Sequence, residues 1–183
     1  MSRKRFLPLA VIVVAALVSA GIAAAGHHAP SVQSASAAFA ATTVSNKLQV
    51  TCSVNGGDTF QATRATYTGL ATSTDPRLAG ALTIRAWSLV DTSNGVGHVF
   101  GEFRILGTGT RAHGTLNAAI SGGKASGLAR GFLRHRWGRL IASLGATFDP
   151  SAGFASGSLG SSTTGAGFIR SGRWCHPPHW PQS

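Results

Sequence analysis

From Lys47 onward the chain alternates. Leu48, Val50, Cys52 and Val54 fall on one side of an extended segment, as do Leu82, Ile84, Ala86 and Val90, then Val99, Gly101, Phe103 and Ile105. Leu116, Ala118 and Ile120 repeat the pattern, and so do Leu140, Ala142, Leu144, Ala146 and Phe148. A period of two is the spacing of a pleated strand with one face buried, and no segment shows convincing helical spacing. Turn residues separate the runs: Asn55-Gly56-Gly57-Asp58, Asp75-Pro76, Asn94-Gly95, Gly107-Thr108-Gly109, Gly122-Gly123-Lys124, Gly138, Asp149-Pro150 with Gly153, and Gly160 to Gly165. Asn-Gly supplies the positive φ of a tight hairpin, and Asp-Pro starts a type I turn. The steps between turns are too short for a parallel crossover with its helix, so the pattern predicts an antiparallel meander.

Eight turn candidates define nine segments. A simple meander closes with antiparallel neighbours only on an even strand number. The expectation is therefore an all-β, up-and-down barrel of about eight strands, plus one terminal segment lying across it. A β-sandwich is the alternative that the same alternation permits. Trp87 and Leu89 lie opposite the Ile84/Val90 face, and Ile141 opposite Leu140. Apolar residues on both faces suggest that a second copy covers part of the outside, which makes homo-oligomerisation an expectation.

The Gly-punctuated meander resembles the allene oxide cyclase and dirigent barrel superfamily, with Tyr67-Thr68-Gly69 and Gly101-Glu102-Phe103-Arg104-Ile105 carrying the likeness over about Phe60 to Leu159. The likeness is one of pattern and transfers no functional residue. It implies an eight-stranded barrel with a central cavity, often a trimer, and no particular activity.

The N-terminus points to export. Arg3, Lys4 and Arg5 precede an uncharged stretch from Phe6 to Ala25, and Ala23-Ala24-Ala25 or Ala38-Phe39-Ala40 fits a cleavage site. That order is the order of a secretory signal peptide, and an uncleaved membrane anchor is the alternative. The expected divisions are a signal peptide at 1–25 with cleavage as late as 40, a low-complexity linker at 26–46, a barrel domain at 47–175 and a Pro/His tail at 176–183. In an exported chain the two cysteines, Cys52 and Cys175, are expected to form a disulfide tying the ends together.

Few residues can carry chemistry. Asp58, Asp75, Asp91 and Asp149 sit in or beside turns, where carboxylates bond to their own backbone. Glu102 alone lies within a strand; with Arg104 and Arg85 it is either a surface group or a lining of the cavity, depending on register. A glycosidase needs two facing carboxylates, and no nucleophile elbow or zinc-hydrolase motif occurs. His176-Pro177-Pro178-His179 is stiff and open, so no metal and no cofactor is expected.

Charge is the strongest compositional signal. Without the three leader cations, 13 basic residues face 5 acidic ones. Arg130, Arg134, His135, Arg136 and Arg139 cluster around one hairpin with Trp137 among them. Such a field attracts polyanions, and arginines beside an aromatic ring can stack on flat ligands. Export and the lack of any nucleic-acid motif argue against a nucleic-acid partner. Three readings follow in order. The first is a secreted, non-enzymatic barrel that binds a small apolar ligand or a cell-surface partner. The second is an envelope protein that adheres to anionic polymers through the basic hairpin, with Arg130, Arg134, Arg136, Trp137 and Arg139 as its contacts. The third is a cofactor-free isomerase or cyclase whose cavity holds Glu102, Arg104 and Arg85.

Overall fold

The computed structural model describes residues 31–53, 57–133, 138–161 and 163–171. They form β1 (Ser31–Ser34), β2 (Ala37–Ser53), β3 (Thr59–Thr72), β4 (Gly80–Asp91), β5 (Val96–Gly107), β6 (Thr110–Ser121), β7 (Lys124–Leu133), β8 (Gly138–Asp149), β9 (Gly153–Leu159) and β10 (Gly167–Ser171). A single turn of 3-10 helix, η1 (Pro76–Leu78), joins β3 to β4. Consecutive strands from β2 to β9 pair antiparallel, and β9 pairs back onto β2. The ring is closed. It is the up-and-down barrel that the alternation predicts, and closure excludes the sandwich.

The parity problem resolves through two broken staves. β8 pairs with β9 along Leu144–Asp149 and with β10 along Arg139–Ala142, so β9 and β10 together make one stave. β1 pairs with β10 as β2 pairs with β9, so β1 and β2 make the other. The joints are stitched by backbone bonds: Ala35 N–H donates to Gly167 O at 2.9 Å, and Gly160 N–H to Ser143 O at 2.9 Å. The extra segment is thus half of a stave, where a disulfide-pinned strap had been expected.

The linker expected at 26–46 is corrected from Ser31 onward. β1 and the first part of β2 occupy that stretch, and Ala35, Ala37 and Ala41 are buried in the core. Alanine has a weak intrinsic preference for strands, which is why an Ala/Ser-rich run reads as spacer. Here its small side chain lets β1–β2 pack closely against β9 and β10, and burial overrides propensity.

Alternation sorts the side chains as expected. Leu82, Ile84 and Ala86 of β4, Val99, Phe103 and Ile105 of β5, Leu116, Ala118 and Ile120 of β6, and Leu140, Ala142, Leu144 and Phe148 of β8 all point inward and are buried. Leu48, Val50 and Cys52 share a face too, but it is the exposed outer one. The β6–β7 connection shows why glycine is needed at turns: Gly122 and Gly123 have φ of 55° and 73°, the left-handed pair of a two-residue hairpin. Gly114 serves a different need, since a Cβ there would collide with the carbonyl oxygen of Arg130 on β7.

Two plugs close the interior. Leu78 of η1 is fully buried at the end carrying the β3–β4, β5–β6 and β7–β8 connections, and Thr110 Oγ1 donates to Pro76 O at 3.0 Å beside it. Towards the opposite end, Tyr67 meets Phe148 and Phe154 edge-on, with ring centroids 5.9 and 5.5 Å away. Its hydroxyl donates to Pro150 O in the β8–β9 turn at 2.8 Å.

Cys52 is exposed near the far end of β2, and Cys175 lies outside the described residues. Ser171 pairs with Ser31 at the other end of the same stave. The expected Cys52–Cys175 disulfide falls outside the described residues.

Candidate binding face

The inside of the barrel is full. An apolar void of about 20 Å³ lies among Leu82, Ile84, Phe103, Ile105, Leu116 and Leu144. A ligand pocket of ordinary size is about 300–1,000 Å³. The central cavity implied by the family resemblance is reduced here to room for about one water molecule.

Glu102, Arg104 and Arg85 are all exposed on the outer face, so their reading as cavity residues is corrected by register. Val99, Phe103 and Ile105 occupy the inward positions of β5, which forces Glu102 and Arg104 outward. Arg85 is the cross-strand neighbour of Glu102, and Glu102 also has Arg104 two positions along its own strand. A lone carboxylate among guanidinium groups on a solvated face offers no acid/base pair.

What the register does assemble is a row. Arg104 of β5 stands opposite His113 of β6, His113 opposite Phe132 of β7, Phe132 opposite Arg139 of β8, and Arg139 opposite Arg170 of β10. Directly opposed residues share a face of the sheet, so these five side chains lie side by side across five neighbouring strands. At about 4.8 Å between strands, the row extends roughly 19 Å. Its centre is aromatic: the His113 and Phe132 rings are 5.8 Å apart, and the Arg139 guanidinium sits 5.3 Å over the Phe132 ring. Arg130 projects from the adjoining row, and Arg111 from the one beyond on the other side.

Three of the acidic residues at turns are engaged by groups beside them in sequence. Asp75 accepts from the Arg77 side chain, with an ion-pair contact of 2.6 Å, and that guanidinium holds its carboxyl below the usual range. Arg77 also reaches Gln33 at 2.8 Å, tying η1 to β1. Asp91 accepts from Asn94 Nδ2 at 2.7 Å and from the backbone of Ser93 and Asn94, which lower its pKa in turn. Asp149 Oδ1 accepts from Ser151 N–H at 2.6 Å. Three of the turn carboxylates therefore behave as the sequence suggests.

Of the residues assigned to the basic hairpin, Arg130 and Arg139 are on this face. Arg134, His135, Arg136 and Trp137 lie outside the described residues. His176 and His179 lie outside them as well, and among the described residues no three His, Cys, Asp or Glu side chains converge as a metal site would require. Arg104, His113, Phe132 and Arg170 were missed as a group. Their sequence signal is weak because each sits on a different strand, and only a residue-level register joins them.

A second outer region has another character. Leu48, Arg64, Trp87 and Phe100 form one cross-strand row on β2 to β5, and Val50, Ala62, Leu89 and His98 the next. Trp87 meets Phe100 at 5.6 Å, and the Arg64 guanidinium lies 5.9 Å from the Trp87 ring. These side chains border an open concavity of about 810 Å³.

No family model matches the chain, and no significant match was found among curated proteins or solved structures.

Proposed function

We propose that this protein is an exported, non-enzymatic adhesion module that holds an anionic polymer of the cell envelope against the outer wall of its barrel. The observation that carries the reading is the Arg104–His113–Phe132–Arg139–Arg170 row. Guanidinium groups at both ends of the row present cationic contacts along one line, which suits a chain of repeated negative charges better than a compact ligand. The aromatic centre adds a flat surface on which a sugar ring or a guanidinium can stack. The filled interior counts against the small-apolar-ligand reading, and the outward placement of Glu102, Arg85 and Arg104 counts against a cavity enzyme. Export rests on the cationic, uncharged and small-residue order of the leader.

The test is chromatography on immobilised dextran sulfate beside uncharged dextran. The wild-type chain is expected to bind only the sulfated matrix and to elute in a salt gradient. An Arg104→Ala/Arg139→Ala/Arg170→Ala variant with unchanged circular dichroism should bind on the order of ten-fold or more weakly at physiological salt, since each lost cation forfeits a counterion-releasing contact. Unchanged elution of the variant would end the proposal.

A further inference from the structure

Most strands of the barrel are paired on both sides, but β2 is not. β9 covers β2 only from Ala37 to Ala41, and among the described residues no other strand pairs with that side. Beyond it, β2 continues to Ser53 with β3 on one flank only. From Ser45 to Ser53 the strand is exposed on both faces. A free edge of this kind presents a line of backbone N–H and C=O groups that can template another strand.

Natural barrels and sheets protect such edges with charge, proline or bulges. β2 carries little protection: Lys47 is its one charged residue, and it contains neither proline nor glycine. A bulge does occur at Asn46, whose φ is 52° and where the register with β3 shifts between Ser45 and Leu48. It leaves Lys47–Ser53 as a straight segment. The outward residues of this segment are apolar, with Leu48 67% and Val50 66% exposed. They continue across the sheet into Trp87 and Leu89, which are also exposed.

We infer that the free edge of β2 is a docking surface for a second copy of this chain, pairing antiparallel with the partner's β2 about a two-fold axis at Val50. Three features select a second copy over another strand. Two identical strands related by a two-fold axis perpendicular to the sheet always oppose residues of the same face, so the Leu48/Val50/Cys52 row meets itself and two apolar patches become one. Centring the pair on Val50, the middle of the straight segment, sets Lys47 opposite Ser53 and Leu48 opposite Cys52. No like charges then meet. Finally, the described chain begins at Ser31 and ends at Ser171, which pair with each other on β1 and β10 and not beside Lys47–Ser53.

Sedimentation velocity of the full mature chain tests the inference, together with a Leu48→Lys/Val50→Lys variant. Both substituted side chains are exposed, so the fold should survive, with circular dichroism as the check. The wild type is expected as a dimer and the variant as a monomer. A second arm uses Val50→Cys in a Cys52→Ser/Cys175→Ser background. Mild oxidation should give a homotypic cross-link, while Ser53→Cys in the same background should give none. A monomeric wild type would overturn the inference, including one whose β2 amides are protected from exchange by another segment of the same chain. So would a dimer that persists in the lysine variant, or one that forms without the Val50 cross-link.

Discussion

Tyr67 shows how much one side chain can hold. It starts on β3, crosses the interior between Phe148 and Phe154, and ends hydrogen-bonded to Pro150 across the barrel. Burial disfavours the phenolate, and the nearby Asp149 charge adds to this, so its pKa is pushed up to about 12. The folded pKa lies above the unfolded one, and the neutral form is the one stabilised. The contribution is therefore complete below about pH 10 and is lost as pH rises through the folded value. Tyr67 is the sole tyrosine of the chain, so phenolate absorbance reports it alone. The titration midpoint of the native protein is expected near 12, against about 10 after unfolding in denaturant. A native midpoint at the unfolded value would show that the ring is solvated. In the sequence Tyr67 stands out only as part of the Tyr67-Thr68-Gly69 tripeptide that carries the family resemblance. The partner that matters, the Pro150 carbonyl, is a long-range contact that no local pattern encodes.

At the scale of elements, the well-read strands were those whose alternation uses large side chains. β4, β5, β6 and β8 have Leu, Ile, Val or Phe at alternating inward positions, and each faces as expected. β1 and the first part of β2 are hard to read for the opposite reason: alanine favours helix and is scarce in strands, so only tertiary packing makes this stretch extended. The broken staves were legible only as a parity conflict, since a strand interrupted by the 160–166 excursion looks like two. A consequence concerns processing. A cut after Ala40 would remove β1 and the β2 residues that pair with β9 at Ala37, Ala38 and Phe39, opening the barrel. The intact mass of the exported protein is therefore expected to place its N-terminus before Ser31. A recombinant chain starting at Ala41 should lose the cooperative thermal transition and gain dye binding typical of exposed apolar surface. Full retention of the transition would show that the β1–β2 stave is dispensable.

For the whole molecule, the proposed function sits on the outside of the barrel. The interior void of about 20 Å³ is too small for a ligand, and the acidic residues at turns serve the backbone. What remains is an outer wall divided by register into a cationic row on β5, β6, β7, β8 and β10 and an apolar region on β2 to β5. The excess of arginine is plain in composition, and the hairpin cluster names one member of the row, Arg139, and its neighbour Arg130. Its extension into a five-strand row was hidden because residues far apart in sequence become neighbours only through a ladder. The two regions fit a protein that pairs with its own kind on one flank and grips a polyanion on the other.

The most direct measurement of that division is arginine modification, read residue by residue by mass spectrometry, with and without dextran sulfate. Shielding of Arg104, Arg139 and Arg170 by the polymer, with Arg64 and Arg85 still reactive, is the expected result. Equal modification in both conditions, or shielding centred on Arg64 and Arg85, would contradict it.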